Sequence, residues 1–145
     1  EHLLDLYSGV GLFAGLLAPD LGPEGQVDAV EVSVQACADA RRNLHDVGTV
    51  RIHQSAVDTW LRDHGQIRPD IVVLDPPRGG AGKRVIEAVL ALTTRAVAYV
   101  ACDPAALGRD LGYARAQGWQ VAAVRGLDLF PMTHHMEAVA LLVPA

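Results

Sequence analysis

A cysteine followed by an aspartate and a proline, Cys102-Asp103-Pro104, closes a run of small and β-branched residues at 97–101. Such a run reads as a buried strand. Asp is a favoured helix N-cap and Pro a favoured first helical residue, so a helix is expected to begin here. Cys102 then stands where a strand gives way to a helix. Unpaired backbone N–H groups and the positive end of the helix dipole favour the thiolate, the state in which sulfur is a nucleophile. The carboxylate of Asp103 acts in the opposite sense, which leaves the direction of the net shift open. A small cysteine buried as packing in a strand–helix turn is the plain alternative.

Three further stretches carry chemistry. Residues 5–14 read DLYSGVGLFA, with Asp5 and Tyr7 ahead of Gly9-x-Gly11-x-x-Ala14. The glycines permit a tight turn and close approach of a ligand to the backbone. Glu31 ends a second strand about 20 residues further on, where an acid can hold ribose hydroxyls. This pattern fits a dinucleotide and S-adenosylmethionine alike, because both carry an adenosine ribose. Asp5 favours the second, since an acid suits a charged amino-acid moiety and gains nothing from pyrophosphate. Residues 75–78 read Asp75-Pro76-Pro77-Arg78. Two prolines fix the backbone and remove two donors, so the loop offers acceptors that suit a sulfonium ligand and a nucleobase. Residues 128–137, DLFPMTHHME, form a loop ending on Glu137. A loop of this kind can lie over the carboxyl ends of the central strands, bringing Glu137 and Cys102 to one substrate. Glu137, His134 and His135 read equally as solvated loop residues. Two adjacent histidines without other clustered ligands make a poor metal site, and no metal is expected.

The elements that must position these groups follow from the pattern. Strands are expected at 3–7 (LLDLY), 26–32, 50–54, 70–74 and 97–101. Helices are expected at 12–18, from the Ser33 cap to about 45, at 59–64, from about 83 to 92, and from 103 to about 117. Residues 19–25 (PDLGPEG) read as a loop, and Gly118 ends the last helix at its C′ position. Two strands, 119–125 and 138–143, close the chain with only GLDLFPMTHHME between them. Alternating strands and helices predict a doubly wound, mostly parallel α/β sheet of the Rossmann-like kind, and the final pair predicts an antiparallel C-terminal edge strand. That closing pair favours a methyltransferase over a dehydrogenase.

The chain has 145 residues, half of them hydrophobic and few aromatic, which suits one α/β domain over residues 1–145. Two cysteines make no disulfide framework. No signal peptide is visible, and no apolar run approaches the ~20 residues that span a bilayer. A cytoplasmic location is the default. The formal net charge of −5 is the wrong sign for gripping nucleic acid unaided. The chain opens directly on a strand and reads as a piece of something longer.

DLYSGVGLFA, the acid at Glu31, DPPRGG, YVACDPAALGRDL and DLFPMTHHMEAVALL, in that order, resemble the RNA 5-methyluridine methyltransferase family. The resemblance runs from Asp5 to Leu142. The glycine-loop and Asp-Pro-Pro motifs are common to many methyltransferases. The cysteine motif and the FPxTxHxE-like motif, Phe130 to Glu137, are far more specific. The resemblance implies a class I S-adenosylmethionine-dependent enzyme that methylates C5 of uridine in tRNA or rRNA, with S-adenosyl-L-homocysteine as product. It implies Cys102 as the nucleophile that adds to C6 and Glu137 as the base that removes the C5 proton. Asp75 would sit between cofactor and pyrimidine. Asp5, Tyr7, Gly9, Gly11 and Leu12 would line the cofactor, Glu31 would take the ribose, and Ser55 or Ala56 would approach the adenine. Arg78, Lys83, Arg84 and Arg109 are candidates for RNA phosphates. RNA would be gripped mainly by domains absent from this chain. Ser8 stands where several members carry cysteine, and Ser55 near a position often Asn or Asp.

Three rival readings remain open from the residues. One is a methyltransferase acting on an exocyclic base nitrogen, with Cys102 structural. Another is a cofactor-binding module without catalysis of its own. The last is a dinucleotide-binding dehydrogenase.

Overall fold

Local signals set most element boundaries in the computed structural model, which describes residues 1–145 except Phe130 and His134. The strands β1 (His2–Leu6), β2 (Gln26–Glu31), β3 (Val50–Gln54), β4 (Ile71–Leu74) and β5 (Ala96–Ala101) are separated by α1 (Leu12–Leu17), α2 (Val34–Asn43), α3 (Val57–Asp63) and α4 (Lys83–Leu92). After β5 come α5 (Pro104–Ala116), β6 (Trp119–Leu127) and β7 (Glu137–Pro144). Ser33 caps α2 by accepting the Ala36 N–H at 3.2 Å, and Asp103 caps α5 by accepting the Ala106 N–H at 2.7 Å. Gly118 takes the left-handed φ of 79° just past the end of α5, as its place predicts.

The sheet order is β3-β2-β1-β4-β5-β7-β6. Strands β1 to β5 are parallel, and β7 runs antiparallel to both β5 and β6. The doubly wound sheet is therefore as expected, but the antiparallel strand is not its edge. β7 lies one strand in, and β6 forms the edge. The reason is composition. Ala138, Ala140 and Leu142 of β7 are buried, whereas β6 exposes most of its length and carries Gln120 and Arg125. Charged and polar residues belong on an edge. Two smaller expectations also shift. α3 starts at Val57, two residues before 59, and the 19–25 stretch includes part of a 3-10 turn, Ala18–Leu21.

Side chains alternate between the two faces of each strand. Leu4, Leu6, Val72 and Leu74 face one core with Ile86, Val89, Val97 and Tyr99, covered by α3, α4 and α5. Leu3, Val27, Ala29 and Val73 face the other, covered by α1 and the 3-10 turn after it. Each fully buried Leu or Val contributes roughly 1.5–3 kcal/mol of transfer free energy. This rigid sheet presents the carboxyl ends of β1, β2, β4 and β5 along one rim.

Candidate active site

The loop after β1 is shaped by three residues with positive φ: Tyr7 at 62°, Gly9 at 54° and Gly11 at 87°. Tyr7 has a Cβ and so is strained there, as residues at functional loops often are. Gly11 meets a second constraint, because a Cβ would lie 2.6 Å from Leu44 Cδ1. Glu31 fixes the loop. Its Oε2 accepts the Gly9 N–H at 3.0 Å and its Oε1 accepts the Ser33 N–H at 2.7 Å. Tyr7, Glu31, Val32, Ala56 and Asp58 line one side of a cleft of about 520 Å³, and Ala81 to Val85 line the other. Burial, with Asp58 and Asp110 nearby, pushes the Tyr7 phenol up to about 12.

Not every expected cofactor contact opens onto this cleft. Ala56 lines it, but Ser55 turns its hydroxyl onto the Ala56 carbonyl at 3.1 Å. Leu12 is 60% exposed and lies off the cleft. Asp5 is fully buried beneath the glycine loop, where Oδ2 accepts the Ala14 N–H at 2.9 Å. Burial raises its pKa to about 7 against that hydrogen bond, and Asp75 adds to the rise. Asp5 Oδ1 and Ser8 Oγ are buried without a hydrogen-bond partner. Asp5, expected to meet the cofactor, thus lies shielded beneath the loop, whereas Glu31 stands on the cleft wall itself.

A second hollow, of about 160 Å³, is walled by Arg78, Cys102, His135 and Glu137. Cys102 is partly exposed at the end of β5, and Glu137 opens β7. The two come together because β7 pairs directly with β5, Ala101 opposite Ala138. Arg78 donates from Nη2 to His135 Nδ1 at 3.2 Å, which ties the loop after β4 to the loop before β7. Asp75 stands at the mouth of β4, where burial and the charge of Glu137 raise its pKa. The carboxylates Asp75 and Glu137 thus share one electrostatic environment.

The basic residues divide. Arg78 borders the sulfur hollow. Lys83 and Arg84 line the larger cleft instead. Arg109 is engaged within the fold: it donates to the Gly79 carbonyl at 2.7 Å and to Asp110 Oδ1 through Nε at 3.0 Å and Nη2 at 2.9 Å. Two of its nitrogens, Nε and Nη2, are thus engaged with Asp110 and the loop after β4, while the side chain stays 45% exposed. His135, read as a solvated loop residue, borders the hollow. His134 and Phe130 of the same motif lie outside the described residues.

Sequence reasoning gave no role to Tyr99, Gly80 or Asp110. A signal was present for the last. Leu107, Asp110 and Ala114 share the buried stripe of α5, and an acid on an apolar stripe calls for partners.

The chain is similar to several known proteins. A family model described as tRNA (Uracil-5-)-methyltransferase matches residues 61–144. An uncharacterized RNA methyltransferase of Streptomyces avermitilis is 55% identical over 145 residues, covering all of this chain and 34% of the relative. One from Bifidobacterium longum is 39% identical over 141 residues, 94% of this chain and 32% of the relative. The chain thus spans about a third of the length of these curated relatives. Among solved structures, the Pyrococcus abyssi tRNA (uracil-54, C5)-methyltransferase in complex with S-adenosyl-L-homocysteine superposes with a TM-score of 0.82 at 30% identity, over 99% of this chain and 34% of that one. TrmN from Thermus thermophilus shares the fold, with a TM-score of 0.79 at 22% identity over 99% of this chain and 44% of that one. On the family match across more than half its residues, the chain belongs to the tRNA (uracil-5-)-methyltransferase family.

Proposed function

We propose that these residues form the S-adenosylmethionine-dependent catalytic domain of an RNA methyltransferase that modifies C5 of a uridine. The observation that carries this reading is the shared hollow of Cys102 and Glu137, brought from β5 and β7 to one place beside Asp75. When bound, S-adenosylmethionine supplies an electrophilic methyl group. The residues of the chain do the rest. The Cys102 thiolate adds to C6 of the uracil, and the C5=C6 pair moves to C5, which becomes a carbon nucleophile. After C5 is methylated, Glu137 accepts the proton that C5 still carries. The C5–H electrons restore the double bond as the C6–S bond breaks and the thiolate leaves. Glu31 holds the ribose of the cofactor, and the target base must be unstacked to reach the sulfur.

Two further parts of the reading concern the intact polypeptide. Residues 1–145 act as one domain of a longer protein, in line with relatives about three times as long. RNA is gripped largely elsewhere in that protein, in line with the net charge of −5 and with the internal engagement of Arg109.

The test is covalent trapping of the intact protein on RNA containing 5-fluorouridine, whose fluorine blocks the last proton removal. Wild type is expected to form a protein–RNA adduct stable to denaturation, and Cys102→Ala none. Glu137→Gln should accumulate the adduct on ordinary uridine RNA, because addition and methylation precede the step it disables. Failure of wild type to trap defeats the reading. Methylation that survives Cys102→Ala would select the exocyclic-nitrogen chemistry instead.

A further inference from the structure

The loop at residues 75–82 separates the two cavities. Its first half borders the sulfur hollow through Arg78, and its second half forms a wall of the cofactor cleft through Ala81 and Gly82. Past the two prolines the loop is rich in glycine, at 79, 80 and 82, and this half has little conformation of its own to rely on. Its fixed point comes from α5.

Asp110 is 1% exposed and accepts five hydrogen bonds. Oδ2 accepts from the Ala81 N–H at 2.8 Å, the Gly82 N–H at 3.1 Å and the Tyr99 hydroxyl at 2.7 Å. Oδ1 accepts from Arg109, which in turn donates to the Gly79 carbonyl at 2.7 Å. Gly82 is the N-cap of α4 and has no side chain to cap it. The carboxylate of Asp110, from another helix, accepts the N–H of Gly82 itself, at the helix end where a negative charge is favoured. Gly80 shows how tightly the loop is drawn down. Its φ is 77°, and a Cβ there would lie 2.6 Å from Asp110 Oδ2 and 2.7 Å from Arg109 Nη2.

We infer that Asp110 is a positioning residue for methyl transfer: through the backbone of residues 79–82 it sets where the cofactor cleft stands relative to the Cys102 hollow. The inference rests on the reading proposed above. It differs from a role in stability alone because one carboxylate controls a loop with each end in a different cavity. Losing it should disturb cofactor binding and sulfur chemistry together.

The experiment uses the intact protein, at temperatures where each variant is folded. Asp110→Asn keeps the size but offers donors where Arg109 or the loop N–H groups already donate. It is expected to lower the trapping rate on 5-fluorouridine RNA at least about 100-fold and affinity for S-adenosyl-L-homocysteine about 10-fold. Alkylation of Cys102 by iodoacetamide should stay within about twofold, because the sulfur itself is untouched. Gly80→Ala removes no hydrogen-bonding group yet pushes the loop off Asp110, and it should give the same split. Tyr99→Phe removes one donor of five and should give a milder form. Hydrogen exchange at Ala81 and Gly82 should accelerate in Asp110→Asn.

Wild-type trapping and affinity in Asp110→Asn and Gly80→Ala, whatever their melting temperatures, would overturn the inference. So would accelerated alkylation of both Cys102 and buried Cys37, the sign of general loosening. If wild type itself fails to trap, the uridine reading falls. Exchange at residues 81–82 and product affinity then still decide the clamp.

Discussion

Two aspartates lie fully inside this domain, and their pKa values move in opposite directions. Asp5 belongs to the cofactor side. It has one backbone donor and one oxygen with no partner, and burial raises its pKa to about 7. Asp110 lies under the loop between the two cavities. Burial opposes its charge as well, yet Tyr99, the Gly82 and Ala81 N–H groups and Arg109 together hold its pKa below the ordinary value. The donors on Asp110 outweigh the cost of its burial, and the single donor on Asp5 does not. The Asp110 carboxylate is satisfied by its own neighbours on both oxygens. Asp5, beneath the glycine loop, keeps one buried oxygen without a hydrogen-bond partner.

The largest expected effect follows from Asp5. Its folded pKa lies above the unfolded value of 3.8, so its contribution is fully present below about pH 4 and is lost as pH rises through about 7. The swing is on the order of 4 kcal/mol at most, at about 1.4 kcal/mol for each tenfold change in proton affinity. Denaturant midpoints of the wild type should therefore fall between pH 5 and pH 8 by more than those of Asp5→Asn. A cation that reaches Asp5 Oδ1 favours the carboxylate. Affinity for S-adenosyl-L-homocysteine should then rise from about pH 6 to 8 in wild type and stay flat in Asp5→Asn. Equal slopes in the two proteins would break the contrast with Asp110.

The two sides also differ in how much of them can be read from the chain. On the cofactor side the loop, its glycines and Glu31 lie close in sequence, and each signals by residue type. The caps at Ser33 and Asp103 and the stop at Gly118 are local in the same way. The sulfur side depends on pairing. Cys102 and Glu137 were legible through motifs, but their meeting requires β7 to insert between β5 and β6. Nothing local encodes that insertion, so the antiparallel strand was expected at the edge. Asp110 failed to stand out for the same reason, since its donors come from β5, α5 itself and the loop after β4. Asp5 had the opposite fate. Its type and place were legible, but not that the glycine loop covers it, which depends on how α1 docks.

A second way to separate the sides is Glu31→Ala. The substitution frees the Gly9 and Ser33 N–H groups and removes the acid at the cleft wall. Affinity for S-adenosyl-L-homocysteine is expected to drop about 100-fold, about 2.8 kcal/mol at 1.4 kcal/mol per factor of ten. The reactivity of Cys102 toward iodoacetamide should not change, because no bond links Glu31 to the sulfur hollow. Isothermal titration and alkylation rates measured on one preparation check both halves. A parallel fall in alkylation would mean that the sulfur hollow also answers to the glycine loop.

The smallest effect tests whether polar satisfaction is confined to Asp110. Asp28 on β2 accepts from His2 Nε2 at 2.7 Å and His53 Nε2 at 2.6 Å, bridging three adjacent strands below the glycine loop. Burial opposes its charge, but hydrogen bonds from His53 and His2 hold its pKa below the ordinary value. The side chains of His2 and His53 are 23% and 30% exposed, so water can replace much of what Asp28→Asn removes. The cost should be about 1–2 kcal/mol at neutral pH. An acid with a lowered folded pKa stabilises above its unfolded value and loses that contribution as pH falls through its folded value. The gap between wild type and Asp28→Asn in denaturant midpoint should therefore close below about pH 4, opposite in sign to the Asp5 effect. If it widens instead, the bridge is carried by histidine charge rather than by the carboxylate. The cofactor side would then hold its outer strands by a different rule from the one Asp110 obeys.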